Sequence, residues 1–193
     1  MRYGIQKQTQ IVKGSLSDIA KQTNTSLAES FLGADVVVLV DTSSSMTAAD
    51  ASDGMTRYDA ACKELAALQA TLPGKIAVIS FAGHGFTMFC PNGQPYDLGG
   101  TTDLTGALSF AKIADVDDMR FIVISDGEPD DENAALRVAK SYQNRIDVVF
   151  VGNEAYPYGR DFLNRLAQAS GGQTVTADRV AQLSSKVQLL LAA

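Results

Sequence analysis

Four short runs of apolar, largely β-branched residues constrain this chain more than any other feature: DVVVLV (35–40), KIAVISF (75–81), RFIVIS (120–125) and IDVVFVG (146–152). None alternates cleanly between apolar and polar residues, so each predicts a strand covered on both faces. Segments with helical spacing stand between them. RYDAACKELAALQATL puts Ala61, Leu65, Leu68 and Leu72 on one face and is stopped by Pro73-Gly74. TDLTGALSFAKIA carries Leu104, Leu108 and Ala111 on one stripe. DENAALRVAKSYQN and GRDFLNRLAQAS also read as helices, the second ended by Gly171-Gly172. Strands alternating with helices of this length predict an α/β fold, a doubly wound and mostly parallel sheet with helices on both faces. GFTMFCPNGQPYDL, around Pro91-Asn92-Gly93, reads as a small antiparallel edge hairpin. QTVTA reads as a short last strand and DRVAQLSSKVQLLLAA as a closing helix.

A chain of 193 residues is long enough for one domain that buries roughly 70% of its extended surface. The strand–helix rhythm assigns residues 34–193 to that domain. Residues 1–33 fall outside it and are expected to form an N-terminal extension. Within it, SLSDIAKQTNTSLAESFL predicts one amphipathic helix through Leu16, Ile19, Ala20, Thr23, Leu27 and Phe31, docked on the domain.

Charge and cysteine usage exclude several classes of function. A net charge of −6 without a basic stripe argues against nucleic acid and against an anionic membrane surface as partners. No apolar run approaches the roughly 20 residues that span a bilayer, and MRYGIQKQTQIVKGSLSDIAKQ lacks the apolar centre of a secretory signal. Cys62 and Cys90 read as free thiols of a reducing compartment, and with a single histidine they offer no zinc spacing. The cytoplasm is the expected location.

The ends of the strands carry the chemistry. The first strand runs through VVVLV straight into Asp41 and then Thr42, Ser43, Ser44 and Ser45, where an ordinary turn would use Gly, Asn or Pro. LGGTTDL brings Thr101, Thr102 and Asp103 ahead of a helix, and RFIVIS ends in Asp126-Gly127. In an open α/β sheet these segments meet at the carboxyl edge, where ligands bind. Each alone is compatible with a turn or a helix cap. Together they make a set of hard oxygen donors without His or Cys, suited to Mg²⁺, Mn²⁺ or Ca²⁺. Residues 41, 43 and 45 alternate and can present their oxygens to one side.

Asp41-x-Ser43-x-Ser45, the TDLTGAL segment and FIVISDGEPDD, in this order and on these elements, resemble the three motifs of the metal-ion-dependent adhesion site of von Willebrand factor type A domains. The resemblance spans roughly residues 34–191. It implies that fold, a divalent cation (Mg²⁺, or Mn²⁺ or Ca²⁺), and Asp41, Ser43, Ser45, Thr102 and Asp126 as the residues around it. Counting back from Leu104 and Ala107-Leu108 selects Thr102, with Thr101 as the competing position. Ser44 stands where the family often has Gly. Asp50 and Asp53 do not match the spacing of the adjacent calcium sites of integrin members. The resemblance further implies a protein-binding module, not an enzyme, whose partner completes the metal with Asp or Glu. For a small bacterial or phage domain, that partner is expected to be an AAA+ ATPase or a multi-protein complex.

Two other readings compete. A Mg²⁺-dependent phosphatase of haloacid-dehalogenase type also starts with an acid after an apolar strand, but needs a second Asp where Ser43 stands. His84, in FAGHGF, is the only histidine available as a base and reads as an exposed or structural loop residue. A scaffold without metal would not be expected to keep all five oxygen donors. Glu128, Asp130 and Asp131 add acidity near the site, with Asp130 and Asp131 expected to cap the next helix.

Overall fold

The computed structural model describes residues 10–50, 54–116, 118–151 and 157–176. Their helices and strands follow in the order α1 (Leu16–Thr23), α2 (Leu27–Leu32), β1 (Val36–Asp41), α3 (Arg57–Thr71), β2 (Ile76–Phe81), β3 (Thr87–Phe89), α4 (Leu104–Ala111), β4 (Arg120–Ser125), α5 (Glu132–Lys140), β5 (Ile146–Phe150), α6 (Pro157–Ser170) and β6 (Thr174–Thr176). The strands form one six-stranded sheet in the order β3-β2-β1-β4-β5-β6. All neighbours are parallel except β2 and β3, which run antiparallel at one edge. The expected α/β architecture is present.

The apolar runs behave as strands covered on both sides, and side-chain alternation divides them between two cores. Val37, Leu39, Ala77, Ile79, Phe121, Val123 and Val148 face α4, α5 and α6, meeting Leu104, Leu108, Ala135, Phe162 and Leu166. Val36, Val38, Val40, Val78, Ile122 and Ile124 face the other way, toward Ala61, Leu65 and Leu68 of α3 and toward Met46. Asp41 ends β1 directly after Val40, on the sheet face of Leu39, and is itself fully buried.

Three details depart from the sequence reading. The segment 15–32 forms two helices rather than one. Asn24 takes a left-handed conformation (φ 54°) that ends α1, and a capping box between Ser26 and Glu29 starts α2. Leu16 of α1 still enters the core. The edge is a hairpin of β2 with β3 alone, its turn closed by the Phe86 N–H to Gly83 O bond. Pro91-Asn92-Gly93 is instead held against the N-terminal segment, through Val12 N–H to Asn92 O and Ser17 N–H to Pro91 O. The proposed closing helix, and Asp53, lie outside the described residues.

Asp115 shows how a loop is fastened at the opposite end of the sheet. Its buried carboxylate accepts the backbone N–H groups of Gln143 (2.7 Å) and Asn144 (3.0 Å), the Asn144 amide (3.1 Å) and Lys112 Nζ (3.1 Å). Burial works against its charge, but these donors outweigh it and hold the carboxyl below the usual carboxylate range. Its stabilising contribution is therefore present above the unfolded-state pKa and lost as pH falls through the folded one. Asp115→Asn turns an amide toward these donors and is expected to cost about 2 kcal/mol at pH 7. In urea melts, the gap from wild type should narrow below about pH 4.

Candidate metal centre

The site begins with Asp41. One carboxylate oxygen, Oδ1, accepts the Ser43 backbone N–H at 2.9 Å, so the chain turns sharply as soon as the strand ends. The other, Oδ2, accepts the Ser125 hydroxyl at 2.6 Å, tying the end of β1 to the end of β4. Thr42 points away and donates its hydroxyl to Phe81 O at 3.0 Å. The loop then makes a short 3-10 turn over Ser44–Thr47, anchored by buried Met46. Ser43 sits at the N-cap position of that turn without using its hydroxyl as a cap. Its Oγ lies 3.1 Å from Ser45 Oγ instead. The hydroxyls of Ser43 and Ser45 thus meet beside Asp41, through the 3-10 turn rather than through extended alternation.

The second loop is sewn to the first. Gly99 N–H reaches Thr42 O, Ser44 N–H reaches Gly100 O, and Gly100 N–H reaches Ser44 Oγ at 2.9 Å. Ser44 therefore fixes the neighbouring loop and leaves the facing side to Ser43 and Ser45. Within 99–103 the two threonines separate. Thr101 is exposed, and its hydroxyl donates to Asp130 Oδ2 at 2.8 Å. Thr102 is buried, and its backbone N–H donates to Asp130 Oδ1 at 3.1 Å. The hydroxyl of Thr102 is the one not claimed by Asp130.

Asp126 supplies the third side. Gly127 follows it with φ 86°, and a Cβ there would meet Gly159 O at 2.2 Å. Only glycine permits this close approach of the first turn of α6 to the Asp126 loop. The carboxylate is buried. Its Oδ2 pairs with Arg57 Nη1 at 3.1 Å, while Oδ1 is buried and has no hydrogen-bond partner among the described residues. Burial, and then the negative charge of Asp126, push the Asp41 carboxyl up to about 6, against the hydrogen bonds from Ser125 and Ser43.

Two buried carboxylates, an orphaned carboxylate oxygen and hydroxyls at one sheet edge form a donor set that fits a hard divalent cation. No group of three or more His, Cys, Asp or Glu side chains suited to a metal occurs among the described residues. The set relies on hydroxyls in their place.

The architecture matches solved structures. An aerotolerance-related membrane protein from Bacteroides fragilis superposes with a TM-score of 0.64 at 17% identity, over 83% of this chain and 99% of that one. The VWA domain of SpRpn10 gives 0.57 at 14% identity, over 78% and 93%. Manganese-loaded TRAP protein from Plasmodium vivax gives 0.54 at 16%, over 82% and 71%. The chain has a von Willebrand factor type A fold. No family model matches its sequence, and no curated protein does.

In this von Willebrand factor type A fold, the segments bearing all five expected site residues meet at the carboxyl edge. Sequence reasoning missed three contributors. Ser125 and Arg57 come close to the acids only through folding. Asp130, expected to cap α5, braces the threonine loop, and Asp131 alone caps that helix by accepting Ala134 N–H at 2.9 Å. Asp103 caps α4 through Gly106 N–H at 2.8 Å. His84 is fully exposed, 3.3 Å from Asp103 Oδ2. No described helix is long and apolar enough to cross a membrane.

Asp130→Ala should loosen the threonine loop while sparing the serine loop. Two hydrogen bonds of about 1 kcal/mol each are lost, so the melting temperature should fall by only a few degrees. Amide exchange should accelerate at Thr102 and stay slow at Ser43. Unchanged protection at Thr102 would remove the bracing role.

Proposed function

We propose that this chain is a metal-dependent protein-binding module rather than an enzyme. The observation that carries the reading is the buried Oδ1 of Asp126, without a hydrogen-bond partner among the described residues, set beside Asp41 at an edge that also gathers the hydroxyls of Ser43, Ser45 and Thr102. Mg²⁺ is the expected ion, with Mn²⁺ or Ca²⁺ as substitutes. The manganese-loaded protein of like fold supports the choice of a divalent ion.

The role of each residue follows from its environment. Asp41 organises the serine loop and adds charge beneath it. Ser43, Ser45 and Thr102 offer neutral lone pairs that hold a cation without neutralising it. Asp126 adds a second charge through Oδ1. A cation held mainly by neutral oxygens stays electrophilic, so it can accept an Asp or Glu from a partner. A hollow of about 240 Å³, lined by Gly83, His84, Phe86, Leu98, Gly99, Gly100 and Thr101, adjoins the threonine loop and gives that partner room for a flanking side chain. An AAA+ ATPase or another multi-protein assembly in the cytoplasm is the proposed setting. The fully exposed His84 ring, at Asp103, is poorly sited to act as a catalytic base.

Thr102→Ala should separate binding from folding. Thr102 is buried but lies on a loop outside both apolar cores, so stability in EDTA should fall by no more than about 1 kcal/mol. Calorimetry and thermal melts with Mg²⁺ or Mn²⁺ should show clear uptake by wild type and a markedly smaller shift for the variant. A Glu-containing probe peptide should bind wild type in Mg²⁺, and neither protein in EDTA. Wild type that gave no heat and no thermal shift would support a metal-free scaffold.

A further inference from the structure

We infer that Arg57 is a built-in counter-cation of this site, which weakens its hold on a metal ion in proportion to the ion's charge. The inference rests on the metal reading above and assigns the residue that tunes it. Arg57 opens α3, with its backbone N–H on Ala48 O. Its side chain is only 11% exposed and grips two acids at once. Nε and Nη2 clamp Asp50 at 2.8 and 2.6 Å, and Nη1 reaches Asp126 Oδ2 at 3.1 Å.

The two ends of this chain differ in burial. The Asp50 side chain is 48% exposed, while that of Asp126 is 6% exposed. Water therefore screens the outer pair far more than the inner one. A guanidinium does not lose its proton in a protein, so its charge is permanent. An ion approaching Oδ1 of Asp126 meets a carboxylate whose other oxygen is already shared with a cation. The repulsion grows with the charge of the incoming ion. Asp50 moderates it by neutralising part of the same guanidinium. Removing Arg57 and removing Asp50 must then act in opposite directions. A guanidinium that merely held Asp126 in place would give the reverse sign for Arg57, because its loss would loosen a ligand.

The test is calorimetric titration of Mn²⁺ and of trivalent Tb³⁺ into wild type, Arg57→Gln, Arg57→Lys and Asp50→Asn, with melts in EDTA and in metal. Arg57→Gln should bind Mn²⁺ about tenfold tighter and Tb³⁺ tighter by a larger factor, as a charge effect requires. It should melt lower in EDTA yet gain more on adding metal. Arg57→Lys, which keeps the charge, should stay near wild type. Asp50→Asn should bind Mn²⁺ several-fold more weakly, an effect that should fade in the Arg57→Gln background. Arg57→Gln binding equal to or weaker than wild type would overturn the inference. Should that variant fail to fold, Asp50→Asn decides, since its site is exposed, and binding as tight as wild type overturns the inference. If no protein in the set takes up either ion, the metal reading itself falls.

Discussion

The hydrogen bond from Ser125 to Asp41 is the contact on which the candidate site depends. It joins the ends of β1 and β4 in a fully buried setting, at 2.6 Å. A carboxylate at that depth is costly unless its oxygens are satisfied. Ser125 satisfies one, and the Ser43 N–H satisfies the other while turning the chain. The same Ser125 oxygen accepts the Gly127 N–H at 2.9 Å, so it also sets the turn that follows Asp126. One hydroxyl thus orients the acid of the first loop and the backbone beyond the acid of the third.

Topology explains why that contact falls where it does. From β1 the chain moves outward to β2 and β3, then returns across β1 to β4, β5 and β6. The loops leaving β1 and β4 therefore diverge to opposite sides, and a crevice opens between them at the carboxyl edge. The threonine loop reaches the same place from the start of α4, with Asp103 N–H bonded to Ala82 O beyond β2. The sheet under this edge is covered on both faces, so the loops stand on a stiff base. The proposed site, with hydroxyls beside its two carboxylates, would need such a base to keep its oxygens in place.

What was legible in the sequence follows physical range. Val36–Val40 and Phe121–Ile124 announce buried strands because every residue in the run must be covered, a property written in consecutive letters. The alternation of Asp41, Ser43 and Ser45 is equally local. Asn24 was harder to read. Its left-handed turn breaks a continuous apolar stripe, and periodicity does not register one positive φ. Asp130 looked like a helix cap because it adjoins Asp131, yet its partners are Thr101 and Thr102, almost thirty positions away. Arg57 is separated from Asp126 by 69 positions. Pairings of that range leave no spacing signal, and only the fold reveals them.

The site is also a local burden on the fold. Burial first, and then repulsion from Asp126, lift the Asp41 carboxyl to about 6. Arg57 relieves this in part by sharing its charge with the inner acid. Even so, Asp126 Oδ1 has no hydrogen-bond partner among the described residues. Replacing either acid with an apolar residue would be expected to relieve that repulsion at the expense of the site. Functional sites commonly hold such unfavourable groups, supported by the cores around them. Here the two apolar cores flank β1 and β4 on both faces, and the burden sits at their shared carboxyl end. The strands that hold the acids together are thus the strands best able to bear their repulsion.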